Sequence, residues 1–220
     1  MQKNTILFDL DGTLVNTGEG VTKSVRFALE KLGIWESDQR KLERFIGPPL
    51  MESFPREYGF SVEKSRDAVT LFRQRYETTG AYECELYPEV EKTLQRLKKL
   101  GYTLAVASSK REDLCHVVLQ YLHVDHYFDL IGGARDAGSS TKIQVLEDVI
   151  ERLHLKDRSQ AVLIGDTRYD AQGAKEAGID CIGITYGFEQ EFGEMQKAGV
   201  LGLFDTLSEV VDFLANMRRG

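Results

Sequence analysis

A chain of 220 residues is long enough for one large domain, or for a domain carrying a sizeable insertion. Its 35 acidic against 28 basic residues give a formal charge of −7, which argues against a nucleic-acid polymer as partner, since such binders show a basic excess or stripe. With 42% hydrophobic and 29% charged residues it is neither disordered nor fibrous, and no apolar run approaches the roughly 18 residues of a membrane span. Met1 to Thr5 lead into an apolar stretch too short for the core of a signal peptide. Cys84, Cys115 and Cys181 are far apart and form no Cys-x-x-Cys pair, which fits a reducing cytoplasm and neither a disulfide framework nor a structural zinc. The expectation is a soluble, cytoplasmic protein with no membrane partner.

Along the chain, Ile6-Leu7-Phe8 is a short apolar run closed by Asp9, the pattern of a strand buried on both faces of a parallel sheet. A long stretch with helical periodicity and no convincing strand follows. Val21, Val25, Ala28, Leu29 and Leu32 form one helical face; Val62, Ala68, Val69, Phe72 and Tyr76 form another. From Leu86 onward strands and helices alternate. Val90, Leu94, Leu97 and Leu100 mark a helix with Gly101 after its end, and Thr103 to Ala107 read as a strand. A helix starts near Glu112, and Ile143, Leu146, Val149, Ile150 and Leu153 make another apolar stripe. Ala161 to Ile164 and Cys181 to Ile184 read as strands, separated by a helix from Tyr169 to Ala177 that stops at Gly178; a last helix runs near Leu207 to Met217. This order predicts an α/β fold: a doubly wound, Rossmann-like parallel-sheet core over 1–17 and 83–220, with an inserted all-helical cap over 18–82. Both crossings, Val15 to Gly18 and Thr79 to Tyr82, contain glycine and suit hinges.

The chemistry sits where strands end. In Phe8-Asp9-Leu10-Asp11-Gly12-Thr13-Leu14 two carboxylates close a buried strand, which is costly unless a cation accompanies them, and hard oxygens suit magnesium. Ile164-Gly165-Asp166-Thr167-Arg168-Tyr169-Asp170 repeats the pattern, and strand carboxyl ends of a doubly wound sheet converge on one crevice. Ser108-Ser109-Lys110 closes a third strand, and Lys142 opens a helix after Ser139-Ser140-Thr141. Blander readings exist for each. Asp-Gly is a common turn pair, Ser108 and Ser109 suit helix N-caps, and Lys142 suits a solvated helix surface. Phe45, Phe54, Tyr58, Phe60, Phe72 and Tyr76 suit a cap core or a nucleobase platform, with the core favoured. His116, His123, His126 and His154 show no metal spacing, and Arg96 to Lys99 and Arg218-Arg219 read as solvated faces.

Asp9-x-Asp11-Gly12-Thr13, Ser108, Lys142 and Gly165-Asp166-x-x-x-Asp170 resemble, in order, the four motifs of the haloacid dehalogenase superfamily, and the insertion after the first motif is similar to its helical cap of the first type. The likeness covers the whole chain. Ile46-Gly47-Pro48-Pro49-Leu50 and Thr185-Tyr186-Gly187-Phe188 are similar to segments of phosphoglycolate phosphatases and bacterial 5′-nucleotidase-like phosphatases. The resemblance implies that Asp9 is the nucleophile and forms an aspartyl-phosphate, and that Asp11 is the general acid and then the base. It implies magnesium (Mg2+) on Asp9, Asp11 through its main-chain carbonyl, and Asp166, with Asp170 completing the site. Ser108, Lys142, Gly12, Thr13 and Ser109 would hold the phosphate oxygens.

An acid at position 11 separates phosphatases of this superfamily from its dehalogenases and phosphonatases, and no His follows the first motif as it does in the sugar-phosphate mutases. Lys142 is followed by Ile143 where the relatives carry proline, which leaves Lys110 and Arg135 as alternative cations. A non-enzymatic phospho-accepting switch or binding protein on the same fold is the competing reading, although receivers of that kind lack a cap insertion. With no basic patch visible in the cap, the expected partner is a small phosphorylated metabolite, phosphoglycolate or a nucleoside monophosphate first, with a short sugar phosphate behind. Oligomeric state is not legible.

Overall fold

A computed structural model describes residues 3–135, 140–189 and 192–217; Ser139 and the pair Arg218-Arg219 lie outside them. In chain order the elements are β1 (Thr5–Phe8), β2 (Val15–Asn16), α1 (Gly18–Lys31), α2 (Gln39–Glu43), α3 (Leu50–Tyr58), α4 (Val62–Tyr76), β3 (Glu85–Leu86), α5 (Val90–Lys99) and β4 (Thr103–Arg111). Then come α6 (Glu112–Tyr121), β5 (Leu130–Ala134), α7 (Lys142–Arg152), β6 (Ala161–Gly165), α8 (Arg168–Glu176), β7 (Asp180–Ile184), α9 (Gly193–Ala198), β8 (Leu203–Phe204) and α10 (Leu207–Met217). Among the described residues no helix is long and apolar enough to cross a membrane.

The fully buried β1 lies inside a six-stranded sheet of order β5-β4-β1-β6-β7-β8, parallel throughout. Its side chains alternate between two cores. Ile6 and Phe8 join the layer of α5, α6 and α10, whereas Leu7 joins the layer of α7, α8 and α9. Helices therefore cover both faces, as the continuous apolar strands require. Phe8 sits opposite Val106 of β4 and Ile164 of β6, so β1 and β6 end side by side while β4 runs on past them. That edge is the chain's topological switch point, since β4 and β6 extend the sheet in opposite directions from β1.

Two parts of the sheet escape a reading by apolar runs. β5 is Leu130-Ile131-Gly132-Gly133-Ala134, and its glycines disguise a strand. A Cβ on Gly132 would lie 2.3 Å from Cγ2 of Val149, so glycine is what lets α7 lie against β5. The other is a small antiparallel ribbon in which Val15 of β2 pairs with Leu86 of β3, fastening together the two crossings into the helical block. β4 also runs further than expected, to Arg111, and Arg111 rather than a serine occupies the N-cap of α6. His123 and His154 take left-handed backbone angles (φ 60° and 52°) just past the ends of α6 and α7.

Between the ribbon strands, α1 to α4 pack the aromatic residues inward. Phe54 is fully buried, 4.9 Å from the ring of Phe45 and 5.8 Å from that of Phe60, while Phe72 and Tyr76 stack at 5.1 Å. These rings form the core of the helical block. Replacing Phe54 by alanine opens a cavity there and is expected to cost about 3–5 kcal/mol of stability. Urea denaturation followed by circular dichroism checks this, and a loss below about 1 kcal/mol would show that the block repacks around the gap.

Candidate active site

Asp9 is the first residue past β1, and its N–H continues the ladder by donating to Ile164 O at 2.9 Å. The chain then turns tightly: Gly12 N–H donates to Val15 O, and the N–H groups of Leu14 and Val15 both donate to Leu10 O. Gly12 has φ 87°, and a Cβ on it would stand 2.2 Å from Oδ2 of Asp166. Only glycine allows this turn to lie against that carboxylate.

Asp166 follows β6 and is fully buried. Its Oδ1 accepts from the Thr13 hydroxyl at 3.2 Å and its Oδ2 from the N–H of Phe188 at 2.8 Å. Gly187 serves it as Gly12 does, since a Cβ there would meet the Asp166 Cβ at 2.3 Å. Asp170 stands in the first turn of α8 within a capping box, where its Oδ2 accepts from the N–H of Thr167 at 3.0 Å and from its hydroxyl at 2.7 Å.

Lys142, the first residue of α7, closes the cluster. Its buried ammonium donates to Asp9 Oδ1 at 2.6 Å and to Ala107 O at 2.7 Å, and pairs with Asp170 Oδ1 at 2.6 Å. The missing proline is compensated by another start signal, a reciprocal capping box between Thr141 and Gln144. Arg135 stands elsewhere, 73% exposed and paired with Asp148.

Asp9, Asp166 and Asp170 bring carboxylate oxygens within 4.8 Å of one another, all buried. Burial pushes the Asp9 carboxyl up to about 7; Lys142 opposes this, and Asp170 and Asp11 add to it. Burial likewise raises Asp166 well above the usual carboxylate range, with Asp170 and Asp9 adding repulsion against the Phe188 N–H and Thr13 hydroxyl. For Lys142, burial works against the charge, but Asp170 and Asp9 hold it above the usual lysine value. Three acids share one lysine, in a donor set made only of oxygens. That deficit of positive charge fits a hard divalent cation such as magnesium.

The Asp11 carboxylate is not part of this cluster. It turns to Lys110, whose ammonium donates to its two oxygens at 2.5 and 2.7 Å and lies 5.1 Å from the Tyr76 ring centre. Burial disfavours the Lys110 charge, yet Asp11 keeps its pKa above the ordinary lysine value. Of the serines, Ser108 is buried with its Oγ accepting from Lys110 N–H at 3.3 Å, and Ser109 faces a cavity of about 110 Å3 between the sheet edge and the helical block. Asp11, Lys110 and Arg111 line it from the sheet, Phe45, Arg73 and Tyr76 from the helices. A larger surface hollow, about 1140 Å3 along α7, touches none of the clustered acids.

The structure thus gathers Asp9, Asp166, Asp170 and Lys142, sets Gly12 and Thr13 against Asp166, and places Asp11 and Ser109 on the cavity wall. The partnership of Lys110 with Asp11 and the support of Gly187 and Phe188 for Asp166 were not legible beforehand. For the latter the only signal was the segment Thr185 to Phe188 itself. A basic feature of the cavity was missed as well, because Arg73 of α4 and the pair Lys110-Arg111 of β4 come from distant segments.

Known proteins resemble this chain in sequence and fold. The chain is 39% identical over 187 residues to a 5′-nucleotidase of Pseudomonas aeruginosa, covering 84% of each chain. It is 31% identical to a phosphoglycolate phosphatase of Colwellia psychrerythraea, covering 96% of each. The crystal structure of a predicted phosphatase from Clostridium acetobutylicum superposes with a TM-score of 0.93 at 35% identity, over 98% of this chain and 100% of that one. Residues 6–184 match the haloacid dehalogenase-like hydrolase family. With the parallel sheet, the acids at its carboxyl edge and relatives of this identity and coverage, the chain belongs to the haloacid dehalogenase-like hydrolases, among their phosphatases.

Proposed function

We propose that this chain is a cytoplasmic, magnesium-dependent phosphomonoester hydrolase that turns over a small phosphorylated metabolite through an aspartyl-phosphate on Asp9. The observation that carries the reading is the division of labour between two acids two residues apart. Asp9 is fixed through Oδ1 by Lys142 inside the acidic cluster, while Asp11 faces the cavity with Lys110.

With Oδ1 held, the other Asp9 oxygen attacks phosphorus and the ester P–O bond breaks. Asp11, having taken up a proton as the ester draws Lys110 away, gives it to the departing alkoxide, then takes one from the water that attacks the aspartyl-phosphate, releasing inorganic phosphate and the Asp9 carboxylate. Asp11 is bonded to Lys110 before substrate arrives, and the ester's own negative charge competes for that lysine. The backbone at Gly12 and Thr13, with Ser108, Ser109 and Lys142, lies on the side where the equatorial oxygens gather charge. Asp9, Asp166 and Asp170, with the Asp11 main-chain carbonyl, would hold magnesium, which when bound supplies positive charge for the phosphoryl oxygens. Small esters of the kinds named for the two relatives, a phosphoglycolate or a nucleoside monophosphate, head the candidate substrates.

Asp9→Asn keeps the size of the side chain and removes the attacking anion, so phosphate release is expected to fall about a thousandfold or more with the fold intact. Release from p-nitrophenyl phosphate and small natural esters, with magnesium and with chelator, measures this. Undiminished activity would remove Asp9 as the nucleophile; a stable phosphoryl group on wild-type Asp9 without release would favour the switch reading. A second expectation concerns pH. Because Asp9 titrates near 7 in the metal-free protein, protons and the cation compete for the same oxygens. Magnesium affinity should rise as pH goes from about 6 to about 8, with proton uptake by the buffer on binding. Titration calorimetry in two buffers of different ionisation enthalpy reports that proton, and pH-independent binding would contradict the shared site.

A further inference from the structure

Tyr76 is the last residue of α4, where the aromatic core of the helical block reaches the wall of the cavity. Ser65, Ala68, Val69, Phe72 and Tyr76 are the buried positions of that helix and fall on one stripe. The Tyr76 ring stacks on Phe72 at 5.1 Å, and a Cβ on Gly80 would lie 2.8 Å from its Cδ2, so glycine at the crossing leaves the ring its place. The ring also carries a charge, because the Lys110 ammonium stands over it, 5.1 Å from the centre. β4 is irregular in its pairing with β5 between Ser108 and Arg111, the stretch that brings Lys110 there.

Both groups are closed off from water: Tyr76 is 2% exposed and the Lys110 side chain 6%. Burial works against the Lys110 charge, and Asp11 and then Tyr76 support it. Burial also pushes the Tyr76 phenol up to about 12, so it is neutral near pH 7. Its hydroxyl is buried beside the same ammonium, outside ordinary hydrogen-bond geometry to any described residue. What Tyr76 offers Lys110 is therefore the negative face of its ring, a contact that strengthens where water is excluded. The two partners of Lys110 differ in kind. Asp11 neutralises the ammonium, whereas the ring holds it without neutralising it and leaves its charge available to an anion.

We propose that Tyr76 is a positioning residue whose ring keeps Lys110 at the cavity wall while the ammonium passes from Asp11 to the charge of the bound ester. This rests on the phosphatase reading above and deepens it. The helical block then takes part in turnover through one aromatic ring, as a platform for a lysine of the sheet domain and not for a nucleobase. The ring is the partner of Lys110 that stays the same before and after the ester arrives, so the ammonium meets the ester already in place.

The test grades the electrostatics of the ring at nearly constant shape. Position 76 carries phenylalanine (Tyr76→Phe) or 3,4,5-trifluorophenylalanine, whose fluorines drain the negative face, each with Lys110 present and in the Lys110→Met background. kcat and KM for p-nitrophenyl phosphate are measured with magnesium, and titration calorimetry gives the Kd of inorganic phosphate for the same proteins, which carries the comparison where turnover is too slow. Tyr76→Phe is expected to stay within about threefold of wild type. Fluorination should lower kcat/KM about three- to tenfold below Tyr76→Phe, mainly through KM, and weaken phosphate binding to match. Without Lys110 the same fluorination should change either quantity by less than about twofold. A ring that only fills the core of the block shows no fluorine effect, or the same effect in both backgrounds, and either result would overturn the proposal. So would a loss in Tyr76→Phe as large as that of the fluorinated protein, which would give the work to the hydroxyl. No release from any ester by wild type would overturn the phosphatase reading and this one with it. Release without a fluorine effect would overturn this one alone.

Discussion

The site depends on one buried ammonium. Lys142 distributes its contacts over Asp9, Asp170 and the carbonyl of Ala107, and so ties α7 to the end of β1, the middle of β4 and the start of α8. Burying carboxylates at this density is strongly unfavourable in isolation, and a single lysine offsets only part of it. Helix geometry adds to the compensation at Asp170, which stands in the first turn of α8, where the helix macrodipole favours negative charge. What remains uncompensated is visible in the raised pKa values of Asp9 and Asp166. The protein keeps a site short of positive charge inside a close-packed edge, and that shortage fits a divalent cation.

Strand register makes the arrangement possible. In β1, Leu7 faces the layer of α7 and α8, and the pleat sends Asp9 to the same side, where Lys142 and Asp170 stand. A slip of one residue would turn Asp9 toward α5 and α6 and separate it from both. The apolar alternation that fills two cores therefore also aims the acid. The sheet's stability and the site's geometry are one constraint.

This explains what could be read from the chain alone. The acids at the ends of β1 and β6 were legible because buried apolar runs locate strand ends, and strand ends of a doubly wound sheet converge. Lys142 was legible from its place at a helix start, even with Ile143 after it. β5 was hidden because Gly132 and Gly133 lack the side chains that mark a strand; their small size serves α7 and the β4–α6 corner instead. The ribbon of β2 and β3 was too short to leave a period. Arg73 and the pairing of Lys110, weighed only as an alternative to Lys142, with Asp11 escaped for a different reason. They join segments far apart in the chain, which only the fold brings to one cavity wall.

The contacts between block and sheet are uneven, and the unevenness has a consequence for the cavity. At the crossings, Gly20 and Gly80 pass so closely that a Cβ on Gly20 would lie 2.0 Å from Gly80 O. Arg75 grips Glu83 with two bonds of 2.8 and 3.0 Å, and Lys23 adds a third at 3.1 Å. At the cavity rim the ion pair between Glu77 and Arg111 is part-exposed, and such a pair contributes roughly 0–1 kcal/mol. Among the described residues, the ion pairs that fasten the block are therefore concentrated at its crossings and sparser at the cavity rim.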